Sequence, residues 1–479
     1  MHASLLLAHD ELHFAGGIFR RLVDVGNYPV CRVSTVDGKV DLPDLYSCLM
    51  ATPKSAAAII LIRNKPGLEV FWVRRAPQMV FQGGFYAFPG GQVDPNEGVT
   101  VCAARELLEE TGARVDPNTL IDVGRWVTPA FVPRRFDTCF FLARCPDGEE
   151  ARVMTSEHDL GEWIRPQDAV AKWMEGQILV APPVLHALRC LSQGLDEIET
   201  RMKAVPWAQG EPIPEIEMRP GLVQVPLRTP TLPPATHTNC YVVGGDEVIV
   251  IDPASPYEEE QALLDSILDK RNIREIWLTH LHRDHVSGAN HLKKRRGVKI
   301  AAHPLTARDL EGVVDVDRTF QQNERLELEG NPGWILRVLH TPGHARGHVC
   351  IFEEKNGSLI TGDLMAGFGT ILIDPPEGHM ATYLDSLRRM KALDVTALFP
   401  AHGPVMANAK GKIQEYLDHR MDREQKIFAA WQKGLHEPRA IVKEVYTDVA
   451  PAMYALAERS VVAHLEKLRE EERILREES

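Results

Sequence analysis

Hydrophobic residues along the chain fall in short runs broken by turn signals, which predicts strands alternating with helices. Near the amino end, Ser55 to Ile62 (SAAAIILI) and Leu68 to Arg74 (LEVFWVR) are apolar runs joined by Asn64-Lys-Pro-Gly67, the pattern of a strand pair. The stretch Val99 to Glu110 has helical spacing instead. Val101, Ala104, Leu107 and Leu108 fall on the expected inner face, and Gly112 is placed as terminator. Further on, Glu162 to Pro166 and Ala169 to Gly176 predict the last helical part of this region. Pro182-Pro183 interrupts, and Leu185 to Leu191 continues as a helix.

Prolines at 206, 212, 214, 220, 226, 230, 233 and 234 are too dense for a helix and suit an extended connector or edge strand. Beyond them the pattern is α/β. Cys240 to Val243, Val248 to Ile251, Glu275 to Leu278 and Lys299 to Ala302 predict strands around a helix from Tyr257 to Arg271. Trp334 to Leu339, Val349 to Phe352, Leu359–Ile360 and Val395 to Phe399 predict later strands. Arg439 to Tyr446 and Ser460 to Leu468 return to helical spacing, a small winged-helix-like appendage with the acidic tail Glu470-Glu-Glu472. The expected division is 1–205, a proline-rich linker 206–234, 235–420 and 421–479.

Length and composition narrow the class. A chain of 479 residues accommodates two to four domains. Its 44% hydrophobic and 25% charged residues are ordinary for globular protein. A net charge of −13 argues against a polyanion-coating protein, although Lys293-Lys-Arg-Arg296 and Arg388-Arg389 with Lys391 are candidate local basic patches. Eight cysteines without CxxC spacing fit reduced thiols and a cytoplasmic setting. Met1 to Ala8 lacks the basic leader and long apolar core of a signal peptide. No apolar run reaches the roughly 20 residues of a membrane span. A soluble protein with no membrane partner is expected; composition leaves the oligomeric state open.

The chemistry concentrates in Thr279-His-Leu-His-Arg-Asp-His285, where a predicted strand ends. Alternation puts His280 and His282 on one side of the backbone. The following turn can swing Asp284 and His285 toward a second ion about 3.5–4 Å from the first, as in two-metal hydrolytic sites. His344, Asp363 and His402 each follow a later predicted strand and complete the candidate ligand set. Asp252 closes another strand and is placed either to brace this loop or to start a turn. Arg346 and His348 are candidates to hold a substrate oxyanion or to serve the structure. In the first half, Glu106, Glu109 and Glu110 share one helix face. Oxygen-only ligands suit Mg²⁺ or Mn²⁺, and Arg105 is placed to pair with Glu97.

The first segment resembles the Nudix hydrolase family. Gly91, Glu97, Arg105, Glu106, Leu107, Glu109, Glu110, Gly112 and Ala113 meet its box in full. The resemblance implies an α/β/α sandwich that hydrolyses a small-molecule nucleoside diphosphate derivative. Glu106, Glu109 and Glu110 would hold Mg²⁺ or Mn²⁺, with Glu109 or Glu110 acting as base and Arg105 in the catalytic box. Arg75, Ala76, Gly84 and Phe88-Pro-Gly90-Gly91 are similar to the coenzyme A pyrophosphatase branch, which makes Arg75, Gly90 and Gly91 substrate-binding candidates. Val80 stands where that branch has a second Arg.

The later region resembles the metallo-β-lactamase fold superfamily in its THxHxDH, TPGH, TGD and Ala-His-Gly-Pro motifs. This implies an αββα sandwich with two Zn²⁺, or Mn²⁺ or Fe. One ion would lie on His280, His282 and His344, the other on Asp284, His285 and His402, with Asp363 bridging. Asp284 would orient or receive a proton from the attacking water, and Arg346 is carried as a substrate-binding candidate. With its appendage, the region is similar to the lactamase-beta-like two group of endoribonucleases, which cut single-stranded RNA. The expected protein is therefore an α/β multidomain, two-activity hydrolase, with RNA as the leading substrate of the second half. A thioester or other acyl substrate, as in glyoxalase-like relatives, is the alternative. A further possibility is that one half is a nucleotide sensor regulating the other.

Overall fold

The structure is a computed structural model. It describes residues 52–474 except 331, 332 and 450, together with short strand segments at 6–8, 11–13, 35–36 and 39–40. The expectation of no leader at Met1 to Ala8 concerns a stretch lying largely outside the described residues.

The two apolar runs near the amino end pair as predicted. Strands β1 (Lys54–Asn64) and β2 (Leu68–Arg75) are antiparallel, with Leu61 opposite Phe71. With β3 (Tyr86–Ala87), β4 (Gly90–Gln92), β5 (Ile121–Val127), β6 (Phe136–Arg144) and β7 (His158–Ile164) they form one sheet. Its main order is β7-β2-β1-β6-β5, and β3 and β4 pair with β2 and β1. Every second residue of β1 meets helix α1 (Val99–Thr111): Ala57, Ile59 and Leu61 pack with Cys102, Ala103 and Leu107. The alternate residues Ala58, Ile60 and Ile62 pack against α2 (Pro166–Met174) and α3 (Pro182–Leu191) on the other face. Strict alternation with both faces buried explains why SAAAIILI is apolar throughout.

Three local expectations change. Val101 and Leu108 are 50% and 39% exposed, so the buried stripe of α1 runs through Cys102, Ala103, Leu107 and Glu110 instead. Pro182-Pro183 begins α3 rather than interrupting it, because proline at the first helical position lacks only an N–H that has no partner there. Glu162 to Ile164 belongs to strand β7, its side chains packing against those of β2.

The proline-rich stretch is not a free connector. It contains β8 (Ile216–Arg219) and β9 (Leu222–Arg228), which begin a sheet continued by β10 (His237–Gly244), β11 (Glu247–Ile251), β12 (Asn272–Trp277), β13 (Lys299–Ala302) and β14 (Arg318–Thr319) in chain order. A second sheet comprises β15 (Arg325–Leu328), β16 (Trp334–His340), β17 (Val349–Glu353), β18 (Ser358–Gly362) and β19 (Ala397–Pro400). Their inner faces meet through Tyr241, Ile249, Ile251 and Trp277 against Leu336, Val349, Ile351 and Phe399. Helices α4 (Glu258–Leu268) and α5 (Ala289–Arg296) cover one outer face. Helices α6 (Met380–Lys391) and α7 (Ala409–Gln432) cover the other. The layers are αββα.

The amino-terminal domain is seated on this sandwich. Phe85, Phe131, Val132 and Leu179 are buried in the inter-sheet core beside Ile216, Met218 and Val405. Trp173 donates its indole N–H to the Met218 carbonyl at 3.1 Å. The buried Arg219 donates to the carbonyls of Gly176 and Asn356 and to the Thr396 hydroxyl, joining both domains. Helix α7 crosses residue 420, so the expected boundary there falls within a helix whose end packs with α8 (Pro438–Val445) and α9 (Tyr454–Glu470) through Ile427, Ile441, Val461 and Leu465. Among the described residues, no strand follows β19.

Candidate metal centres

The ligand loop leaves β12 of the first sheet at Trp277, and strands of the second sheet bring the other candidates to it. Residues 341–348 follow β16, Asp363 follows β18, and His402 follows β19. His280, His282, His344 and Asp363 offer ligand atoms within 4.8 Å of one another, and so do Asp284, His285 and His402. His282 Nδ1 lies 3.0 Å from His280 Nε2 and 2.9 Å from His344 Nε2. Asp363 stands between the groups. Its Oδ2 is 3.4 Å from His344 Nε2, and its Oδ1 is 3.5 and 3.3 Å from the Nε2 atoms of His285 and His402. Asp284 Oδ2 is 3.5 Å from His402 Nε2.

The far nitrogen of each buried imidazole is held, which sets the tautomer. His344 Nδ1 donates to the Leu372 carbonyl and His402 Nδ1 to that of His237. His285 Nδ1 donates to Asp252 Oδ2 at 2.8 Å. The Thr279 hydroxyl donates to the same oxygen at 2.6 Å and accepts from His280 Nδ1 at 3.0 Å, while the Thr279 backbone N–H donates to Asp252 Oδ1. Each Nε2 is thereby left as an acceptor facing the cluster. Among the described residues, His285 Nε2 and Asp363 Oδ1 are buried without a hydrogen-bond partner, an arrangement that costs free energy unless a cation takes the lone pairs. The donor set fits divalent metal. Burial and neighbouring imidazoles push His280 well below the usual range and His344 down to about 4, so both present neutral nitrogens. Burial opposes the charge on His285, yet Asp363, Asp284 and Asp252 outweigh it and raise its pKa.

Asp252 is thus the brace of the loop. His348, carried as an oxyanion candidate, is fully buried. Its Nε2 accepts the Asp363 N–H at 3.0 Å and its Nδ1 contacts Thr341 Oγ1, so it holds the backbone beneath the bridging carboxylate. Arg346 is half-exposed, with its backbone N–H on Glu377 Oε1 and its guanidinium 3.7 Å from Glu377 Oε2. Gly343 allows the turn that delivers His344. Its φ is +139°, and a Cβ there would collide with the Tyr383 backbone.

On α1, Arg105 pairs with Glu97 through Nε and Nη2 at 2.8 and 2.9 Å, and its Nη1 reaches Glu106 and Glu109. It is a bracket between loop and helix. Glu106 lies against Gly91, where a side chain would strike its carboxylate. Glu110 is 6% exposed and accepts the Gly90 N–H at 3.0 Å, which occupies the backbone donor of that substrate-binding candidate. Glu109 points outward, 56% exposed. Burial pushes Glu110 up to about 8 and outweighs the Arg105 guanidinium to push Glu106 upward, because removal from water disfavours the charged carboxylate. Arg75 faces Glu110 and Glu157, and its Nε donates to the Phe81 carbonyl. Glu157, acting electrostatically on both Glu106 and Glu110, and His158, 3.9 Å from Glu110, were absent from the sequence reading. They lie 47 and 48 residues beyond Glu110, Glu157 in the turn before β7 and His158 at its first position, where no periodic pattern marks them.

Among the described residues, no helix is long and apolar enough to cross a membrane, and six cysteines are free. Sequence profiles match in the same order as the folded units: NUDIX domain at 52–181, metallo-beta-lactamase superfamily at 233–402, and beta-lactamase associated winged helix domain at 438–479. The chain is 30% identical over 240 residues to a beta-lactamase-like protein 2 homolog of Caenorhabditis elegans, covering 48% of this chain and 78% of the relative. The Drosophila melanogaster homolog of the same name is 31% identical over 252 residues, 49% and 82% respectively. An atrochrysone carboxyl ACP thioesterase of Paecilomyces divaricatus, AgnL7, is 31% identical over 228 residues, 46% and 67%. With these relatives and the convergent histidine–aspartate cluster, the chain belongs to the metallo-β-lactamase superfamily, as a multidomain hydrolase related to the beta-lactamase-like protein 2 homologs and carrying a Nudix domain ahead of the lactamase and winged helix domains.

Proposed function

We propose that the Nudix domain hydrolyses the diphosphate of a small nucleoside diphosphate derivative and that the lactamase domain hydrolyses an acyl thioester. Glu106, Glu109 and Glu110 would hold Mg²⁺ or Mn²⁺. His280, His282 and His344 would hold one Zn²⁺ (or Mn²⁺ or Fe), Asp284, His285 and His402 the other, with Asp363 shared. The observation that carries the reading is that His285 Nε2 and Asp363 Oδ1, buried 3.5 Å apart within the histidine cluster, make no hydrogen bond among the described residues. Bound divalent cations supply Lewis-acid activation of water and of the scissile carbonyl. Asp284, 16% exposed and beside His402, is the carboxylate positioned to take the proton of the attacking water. The imidazoles, fixed by Asp252, Thr279, Leu372 and His237, do not have to reorganise as charge develops.

The choice of thioester over RNA follows from charge. Phosphate backbones are gripped by free Lys and Arg. Here Lys293 is bound to Asp315 and Asp317, Arg296 to Asp269, and Arg389 to Asp385, so most of the expected basic patches are internally neutralised. Three relatives are named as acyl carrier thioesterases, which supports the same direction. Cleavage of single-stranded RNA is the second reading. It is favoured by Arg388, which has no ion-pair partner among the described residues and lines a cleft of about 490 Å³ with Lys391.

A substrate panel on the full chain tests this reading: thiol release from acyl thioesters, fragmentation of a single-stranded oligoribonucleotide, and phosphate-coupled hydrolysis of nucleoside diphosphate derivatives. Asp363→Asn should abolish thiol release and leave diphosphate hydrolysis intact, while Glu110→Gln should do the reverse. Oligonucleotide cleavage lost in Asp363→Asn, with no thiol release by the parent, would transfer the assignment to RNA.

A further inference from the structure

We infer that His158 is a positioning residue of the Nudix site, holding the Glu110 carboxylate toward a divalent cation. The inference rests on the proposed reading of Glu106, Glu109 and Glu110 as cation holders. Strand β7 begins at His158, opposite Arg75, and its register with β2 slips between His158 and Leu160. Such a slip re-aims neighbouring side chains. Asp159 turns outward, where it accepts two hydrogen bonds from Arg74 at 2.8 and 2.9 Å. His158 turns inward, its side chain 1% exposed, with Nε2 3.9 Å from Glu110 Oε1. The other Glu110 oxygen already accepts the Gly90 N–H at 3.0 Å. The two contacts lie on opposite oxygens of one carboxylate, so together they fix the plane of the group.

His158 Nδ1 is buried without a hydrogen-bond partner among the described residues. An orphaned buried polar atom costs about 1–3 kcal/mol, a cost that an apolar side chain filling the same space does not carry. Packing therefore does not account for an imidazole here. With Nδ1 unprotonated, Nε2 carries the proton and aims it at Glu110. A separation of 3.9 Å exceeds a direct hydrogen bond, and contacts of this kind tighten when a site is occupied. Partners behind a ligating carboxylate orient it, and their loss weakens metal binding.

The test is Mn²⁺ binding to the full chain, with the histidine-rich centre first filled with Zn²⁺, followed by the loss of the free Mn²⁺ electron paramagnetic resonance signal. His158→Phe, which keeps bulk and removes both nitrogens, should weaken Mn²⁺ about 10- to 100-fold, whereas His158→Gln, whose amide can donate to Glu110, should stay within about threefold of the parent. A packing role predicts the opposite order, because Phe preserves the apolar contacts better. If His158→Phe does not fold, His158→Leu takes its place in the same comparison. The inference is overturned if the apolar variant binds Mn²⁺ as tightly as the parent, or if both variants weaken it equally. A zinc-filled parent that binds no Mn²⁺ overturns the cation-site reading, and this inference with it.

Discussion

Asp252→Asn is the most informative single change to the histidine-rich centre, because it alters one atom that touches no proposed metal position. Asp252 is 2% exposed and accepts three hydrogen bonds: the Thr279 N–H on Oδ1 at 2.8 Å, and the Thr279 hydroxyl and His285 Nδ1 on Oδ2 at 2.6 and 2.8 Å. In the variant an amide NH₂ faces the last two donors. The Thr279 hydroxyl can rotate away, but His285 can relieve the clash only by moving its proton from Nδ1 to Nε2. Nε2 is the atom that faces Asp363 and the cluster, so the swap removes one lone pair from the group of Asp284, His285 and His402. Loss of such a supporting partner weakens metal binding about 10- to 100-fold, or about 1.4–2.7 kcal/mol. Competition with a chromophoric chelator, read as two successive dissociation steps, should show one zinc markedly weakened and the other nearly unchanged. The overall fold should persist, with a melting temperature near that of the parent in chelator. Two zinc ions bound with parental affinity would refute the tautomer argument, and equal weakening of both would show that the loop as a whole had moved.

Three further outcomes are expected. The Glu110 pKa is raised from about 4.5 to about 8 by burial, so the fold favours the protonated carboxyl, a contribution present below about 4.5 and lost as pH rises through about 8. A cation competes with that proton, so Mn²⁺ binding at the Nudix site should strengthen with rising pH and level off above about 8; calorimetry in buffers of different ionisation heat would register the released proton, and pH-independent binding would oppose the argument. Glu424 is buried on α7 against Lys467, Arg473 and His464. Burial opposes its charge, but His464 and Lys467 prevail and lower its pKa to about 2, so its stabilisation holds above about 4.5 and disappears as pH falls toward 2. Glu424→Gln should cost about 1–3 kcal/mol in denaturant unfolding at neutral pH, since Lys467 loses its buried partner and keeps only the half-exposed Glu471, and should flatten the acid limb of the stability profile. Gly343→Ala should displace His344, because a Cβ at φ +139° meets the Tyr383 backbone; zinc content should fall, while a folded Ala variant with full zinc would show that the turn can adapt.

The order and type of the elements around both centres were legible because hydrophobic periodicity is local: a residue's neighbours one or three to four positions away report which face is buried. SAAAIILI announces one member of a strand pair, and Gly112 announces the end of α1, from the chain alone. The candidate metal ligands were equally legible, since they fall in segments that follow apolar strands, and parallel pairing of β18 and β19 brings Asp363 and His402 together. For the proline-rich stretch the sequence left an extended connector and an edge strand both open, because proline removes a backbone donor without forbidding a strand at or near a sheet edge; pairing with β10 places 222–228 in the sheet.

What only the tertiary structure decided is everything that depends on contacts remote in sequence. Which stripe of α1 is buried was set by its packing on β1, which covers Cys102, Ala103 and Leu107, while Glu110 is also buried and Val101 and Leu108 stay outside. The neutralisation of the basic patches came from acidic residues on neighbouring elements, such as Asp315 and Asp317 against Lys293. His158 reached Glu110 through a register slip in a strand that begins 48 residues further on. Residue types and their periodicity therefore determined which chemistry this chain carries. Which proton faces which lone pair was determined by packing, because hydrogen bonds and ion pairs are made between atoms brought close in space, whatever their separation along the backbone.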